Sequence, residues 1–260
     1  MVKNILLKIG YDGTNFHGFQ YQENLRNIES EVKKAIHKVT NENNRIIAAG
    51  RTDAGVHAYA QYVNFLTATN INPKAFKFHI EPHLPDDIIS IESKEVDLGF
   101  HARFSAKNKT YQYVVFRDKI MHPIHRNYME QITYPLDLDK LQQGLDILKG
   151  EHDFKAFMRI DKDLEINTIR SIEDAYFIEN ESRLEIYFKA NSFLHNQVRI
   201  MSGALIELAR GKLSLDDFRN FFDPTNTKKA NPALSASGLY LWSIDYEWYR
   251  NKKIKFFKWI

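Results

Sequence analysis

The chain has 260 residues, with 36 Lys+Arg against 33 Asp+Glu for a formal charge of +3, and no cysteine. That length suffices for one large domain or two small ones, burying about three quarters of the unfolded surface without covalent staples. The absence of cysteine excludes disulfides, thiolate zinc sites, iron–sulfur clusters and cysteine nucleophiles, and suits a reducing cytosol.

The first residues, Met-Val-Lys-Asn-Ile-Leu-Leu-Lys-Ile-Gly, meet charges at Lys3 and Lys8 before any apolar run of signal-peptide length develops. No window approaches the roughly 18 apolar residues a membrane helix needs, so a soluble, cytoplasmic protein with no membrane partner is expected. Residues 4–10 read as a strand ending at the turn residues Asp12-Gly13. Ile28, Val32, Ala35, Ile36 and Val39 recur at helical spacing and predict a helix over about 28–40. Two strand-like runs, Arg45–Ala49 and Gln61–Leu66, bracket a polar connection. Leu138, Leu141, Leu145 and Leu148 mark a second helix that stops at Gly150. A strand pair follows, Ile172–Ile178 and Arg183–Lys189, joined at Glu179-Asn180-Glu181. Phe193–Ala209 reads as a long helix with Gly211 past its end, and Leu239–Tyr246 as a closing strand.

Strands and helices mix without the strict alternation of a parallel α/β fold. Each half carries strands around a helix, which predicts an α+β protein of two ferredoxin-like, split-βαβ modules. The expected division is 1–105 for the first module and 106–260 for the second.

The modest net charge hides clustering. His101–Arg117 carries four Lys/Arg and Tyr249–Ile260 carries five, neither with an acid, and both interleave cations with aromatic rings. The remainder of the chain is net acidic. Such clusters are the footprint of a nucleic-acid surface, or simply solvated faces and a tail.

Between the two early strands lies Gly50-Arg51-Thr52-Asp53-Ala54-Gly55-Val56-His57-Ala58. A loop held by rigid flanks is a common seat for catalytic groups. A nearby arginine favours the ionised form of a carboxylate, which can then act as nucleophile or base. The same residues also spell an ordinary turn, and the pattern alone leaves both readings open. His122 and His125 stand three apart, but no cysteine or acidic ligand set accompanies them, so no metal is expected.

The run GRTDAGVHA resembles the signature of the tRNA pseudouridine synthase A family. Further blocks resemble it along nearly the whole chain: Tyr11 to Gly18 (YDGTNFHG), Phe100 to Ala106 (FHARFSA), Lys109 to Tyr113 (KTYQY), Thr168-Ile169-Arg170, Phe193 to Arg199 (FLHNQVR) and Gly238 to Leu241 (GLYL). The resemblance implies two modules whose antiparallel sheets form one pseudouridine-synthase catalytic domain with a central cleft. It implies an isomerase, free of cofactor and metal, that detaches uracil at N1 and rejoins it through C5 in the anticodon stem-loop of tRNA. It also implies a homodimer. By the same resemblance Asp53 is the nucleophile, with Arg51 and Arg199 approaching the aspartate and the RNA. Tyr111 lies against the target base with a proton-transfer role, and Leu241 or Leu239 lines the uracil pocket.

The residues themselves agree in part. Arg199 lies among Leu194, Val198, Ile200, Met201 and Leu205, and a buried arginine needs a partner, for which Asp53 is the expected one. Tyr111 beside Lys107 and Lys109 suits stacking a base while holding phosphates, with Arg103 in the same basic block. His57 and His195 are candidates for RNA contact or for structural hydrogen bonds, and His57 is counted among the substrate-binding residues. The chain departs from the family's usual residues at Phe19, Glu29, Asn196-Gln197 and Asn231–Ser237, which flank the expected binding surfaces rather than Asp53 and so bear on the choice of uridine and the RNA contacts. Two other readings remain: a non-catalytic RNA-binding paralogue, and an Asp53/His57 hydrolase that lacks any serine nucleophile motif or metal set.

Overall fold

The computed structural model describes residues 1–159, 166–230 and 233–247. The basic cluster at 249–260 and Asn231-Pro232 lie outside the described residues. Strand β1 (Lys3–Tyr11) buries Ile5, Leu7 and Ile9, as their alternation predicts. Helix α1 (Ile28–Thr40) begins at Asn27, whose side chain accepts from the Ser30 N–H, and turns Ile28, Val32, Ala35 and Ile36 inward. Asn41 ends it in the left-handed conformation. The short β2 (Ile47–Ala48) and the long β3 (His57–Thr67) bracket the polar loop.

Helix α2 (Phe76–Ile80) and strand β4 (Ile88–Val96) come next. Sequence periodicity missed both, because α2 is a little over one turn and β4 mixes Ile with Ser, Glu and Lys. Strand β5 (Asn108–Phe116) follows, then β6 (Glu130–Gln131), α3 (Leu138–Leu148) and β7 (Gly150–Asp153). The predicted strand pair is present as β8 (Ile169–Asn180) and β9 (Arg183–Ala190), turned at Glu181 with positive φ.

Helix α4 (Gln197–Ala209) starts later than its apolar pattern predicts. Asn196 takes a left-handed φ of 59°, and the Leu194 N–H donates to the Gln197 side chain at 2.7 Å, so Phe193–Asn196 form a bend before the helix. Helix α5 (Leu215–Asn220) and strand β10 (Leu239–Asp245) complete the described chain.

The architecture is mixed α+β on a single ten-stranded sheet of order β4-β1-β3-β10-β5-β9-β8-β7, with β2 on β3 and β6 on β5. The strands of both halves run on as one sheet. The joint is β10, parallel to β3 at Tyr240 and Leu241 and antiparallel to β5. Helices α1 and α2 pack together, as do α3, α4 and α5. One apolar core runs from Ile5 and Phe65 through Leu241 to Leu205 and Phe218. No helix among the described residues is long and apolar enough to cross a membrane.

Candidate active site

The polar loop leaves β2 at Ala48 and enters β3 at His57, with both strands fixed by pairing to each other and β3 also to β1. Its underside is held by the turn that follows β1. The Phe19 N–H donates to the Thr52 carbonyl at 3.0 Å, and the Gly55 N–H to that of Phe16. The Tyr11 hydroxyl lies 2.8 Å from that of Thr52. Gly18 has φ +88°, and a Cβ there would come within 2.9 Å of the Thr52 carbonyl oxygen, so this close approach requires glycine. The loop itself turns through Gly55 at φ +77°.

Asp53 sits at the loop's centre with its side chain about one third exposed. Its ion contact is not Arg199. His195 Nε2 faces Asp53 Oδ1 at 3.4 Å, and the imidazole is half exposed. Arg199 donates from Nε to the Leu234 carbonyl at 2.7 Å and from Nη1 to Asn196 Oδ1 at 3.0 Å. The expected Asp53–Arg199 pair is therefore replaced: a half-buried guanidinium is satisfied by a carbonyl and an amide on its own side, and the bend before α4 carries His195 to the aspartate instead.

Tyr111 lies on β5 between Leu241 of β10 and Phe188 of β9. It is 8% exposed and meets Phe193 edge to face at 5.2 Å. Burial first, then the nearby Tyr11 and Asp53, raise its hydroxyl far above the ordinary tyrosine pKa, so it remains a phenol at neutral pH. Leu239 and Leu241 are buried in β10, with Leu241 in register with Tyr111 on one side and Ala58 on the other. Lys109 reaches over Gly50, its Nζ 3.7 Å from where a Cβ on that residue would stand. Burial, reinforced by Arg103, lowers its pKa from 10.5 to about 8. Arg51, Arg103 and Lys107 are exposed. Glu29 stands in the first turn of α1, where it accepts from the Tyr21 N–H and pairs with Lys33.

His57, expected among the substrate contacts, is 2% exposed and serves the scaffold. Its Nε2 bonds the Asn127 carbonyl at 2.9 Å, its Nδ1 accepts from the Gly13 N–H at 3.1 Å, and its ring stacks on Tyr240 at 4.8 Å. Burial lowers its pKa below the ordinary imidazole value, against the opposing pull of Asp12, whose Oδ1 lies 3.1 Å from Nδ1. Asp12 in turn accepts from the Tyr128 hydroxyl at 2.6 Å. Sequence reasoning missed Asn127 and Tyr128, which sit outside any motif. Among the described residues no group of three or more His, Asp or Glu is placed to hold a metal.

A one-third-exposed carboxylate on a clamped loop, with an imidazole facing it, a buried phenol near enough to feel its charge and cations at its margin, suits chemistry on an electrophilic base next to a phosphate backbone. Comparison with known proteins takes the same direction. Residues 9–105 and 146–247 match the tRNA pseudouridine synthase family, and the chain belongs to that family. Relatives named tRNA pseudouridine synthase A include proteins of Thermoanaerobacter sp. (strain X514), 39% identical over 245 residues, and Finegoldia magna, 38% identical over 245. Each comparison covers 94% of this chain and 100% of the relative. A Geobacillus sp. (strain WCH70) protein of the same name is 36% identical over 248 residues, covering 95% and 100%. Among solved structures, a Cbf5-Nop10-Gar1 complex is similar at a TM-score of 0.34 and 10% identity, over 78% of this chain and 54% of that one.

Proposed function

We propose that the protein converts uridine to pseudouridine in tRNA, in the anticodon stem-loop, with Asp53 as nucleophile. The observation that carries this reading is the placement of Asp53: one third exposed on a loop held by strand pairing and by the Asp12–Phe19 turn, with Tyr111 and His195 beside it. Tyr111 presents a ring edge or face to the base, and Leu241 and Leu239 form the apolar floor. Arg51, Arg103, Lys107 and Lys109 hold the RNA backbone, offsetting the few kcal/mol needed to take a base out of its stack. Arg199 shapes the bend that carries His195 and meets the RNA from the far side of the site.

The two helix groups on either half of the sheet support the finer reading of two related modules divided near residue 105. The same division coincides with the end of the first matched stretch, at residue 105. A cytoplasmic homodimer with tRNA as its partner completes the proposal.

The test is tritium release from tRNA labelled at uracil C5, alongside gel-shift measurement of binding. Asp53→Ala should abolish release, by at least about three orders of magnitude, while RNA binding persists. Release by the Asp53→Ala protein would remove the nucleophile assignment. Binding without release by the native chain would make it an RNA-binding relative.

A further inference from the structure

The isomerisation has a requirement that Asp53 and Tyr111 leave open. Once uracil has rejoined the ribose through C5, that carbon still bears its hydrogen. The C5–H bond must break, with its electron pair returning to the C5–C6 bond of the ring, and the proton must go to a base. This holds whether Asp53 has added to C6 or to the ribose C1′. If Asp53 sits on C6, the returning pair expels its carboxylate as the double bond forms.

Tyr111 is poorly suited to receive that proton. Its hydroxyl is buried and kept neutral by its surroundings, and a phenol carries no available charge to accept with. His195 has the opposite properties. It is half exposed at the mouth of the site, and its Nε2 faces the nucleophile at 3.4 Å. Its Nδ1 has no partner among the described residues. The charged group facing it is Asp53, and its backbone carbonyl is held by the Arg159 N–H at 3.3 Å. The bend at Asn196 and the Leu194–Gln197 bond fix the position of this short segment. An imidazole held beside the nucleophile, with a nitrogen open toward solvent, is placed to take a proton from a base bound there.

We propose that His195 is the general base that removes the C5 proton, its ring placed beside the nucleophile by the bend before α4. The proton taken from C5 resides on the imidazole and returns to solvent or to uracil N1, which ends the reaction carrying hydrogen. The proposal rests on the pseudouridine synthase reading above.

The experiment uses the full chain, tRNA with protium or deuterium at uracil C5, and three proteins: native, His195→Gln and His195→Ala. His195→Gln keeps a polar group near Asp53 but cannot take a proton. It should lower kcat about 10²–10⁴-fold with tRNA affinity unchanged, the range a positioned base contributes. A primary isotope effect at C5 should then appear in the variant, and added imidazole should restore part of the rate to His195→Ala. A kcat within threefold of native overturns the proposal. So does a slow variant with neither isotope effect nor imidazole rescue, or one that loses RNA affinity with kcat kept. If the native chain forms no pseudouridine, the failure lies with the function itself rather than with His195.

Discussion

Lys109 shows how a single burial changes what a cation can do. Its ammonium lies over Gly50 with a pKa lowered to about 8, chiefly by burial and then by Arg103. Below that pH it is charged and available to a phosphate; as pH rises through it, the charge is lost. Binding of tRNA is therefore expected to weaken between about pH 7 and 9 beyond what surface lysines produce, and Lys109→Arg should flatten the curve because a guanidinium stays protonated. The same shift has a stability consequence of fixed sign. Between about 8 and 10.5 the unfolded chain holds more protons than the folded one, so stability attributable to this group rises with pH across that window. At neutral pH the charge costs folding stability, and Lys109→Met should raise the melting temperature while weakening RNA binding. A variant that melts lower and binds as before would contradict both parts. His57 makes the complementary point: its buried, doubly bonded ring belongs to the scaffold although its motif position suggested the substrate.

At the level of elements, the site depends on one turn packed under one loop. The Asp12–Phe19 turn holds the Asp53 loop by backbone bonds from Phe19 and Gly55, while Tyr128 bonds Asp12 of the turn and the Asn127 carbonyl bonds His57. Gly13 lies at the closest approach: a Cβ there would stand 2.0 Å from the Val56 carbonyl oxygen, and backbone has little freedom to yield. Gly13→Ala should therefore displace the loop. The expected cost is about 1–3 kcal/mol in urea unfolding, with a kcat loss of about a hundredfold from a displacement near 1 Å. Retained kcat in a protein that unfolds at the native urea concentration would show that the loop does not depend on this contact.

For the whole molecule, the decisive element is β10. It pairs with β3 of the first half and β5 of the second, and Leu241, fully buried, sits in register with both Ala58 and Tyr111. The halves share one sheet and one core, which predicts a single cooperative unfolding transition with coincident fluorescence and circular-dichroism curves. Leu241→Ala should lower stability by about 2–5 kcal/mol and impair catalysis through Tyr111. Two separated transitions in the native protein would show instead that the modules fold independently.

The division between sequence and tertiary structure follows from the range of the interactions involved. Periodicity and capping are local: the apolar spacing of Ile28 to Ile36 with Asn27 before it, and the alternation in Ile5, Leu7 and Ile9, determined α1 and β1 within the chain itself. The glycines and turn residues around Asp53 likewise marked a loop between strands, though not whether its carboxylate served chemistry or a turn. What joined these pieces was not local. Strand β4, polar and at the sheet edge, has no clear alternation to read, and β10 becomes a joint only by meeting strands from both halves. A buried arginine's need for a partner was legible in the sequence, but which partner it takes was not. The positive φ of Asn196 and the carbonyl of Leu234 gave Arg199 its bonds and left His195 to face Asp53, because hydrogen-bond satisfaction is decided by distances that only the folded chain sets.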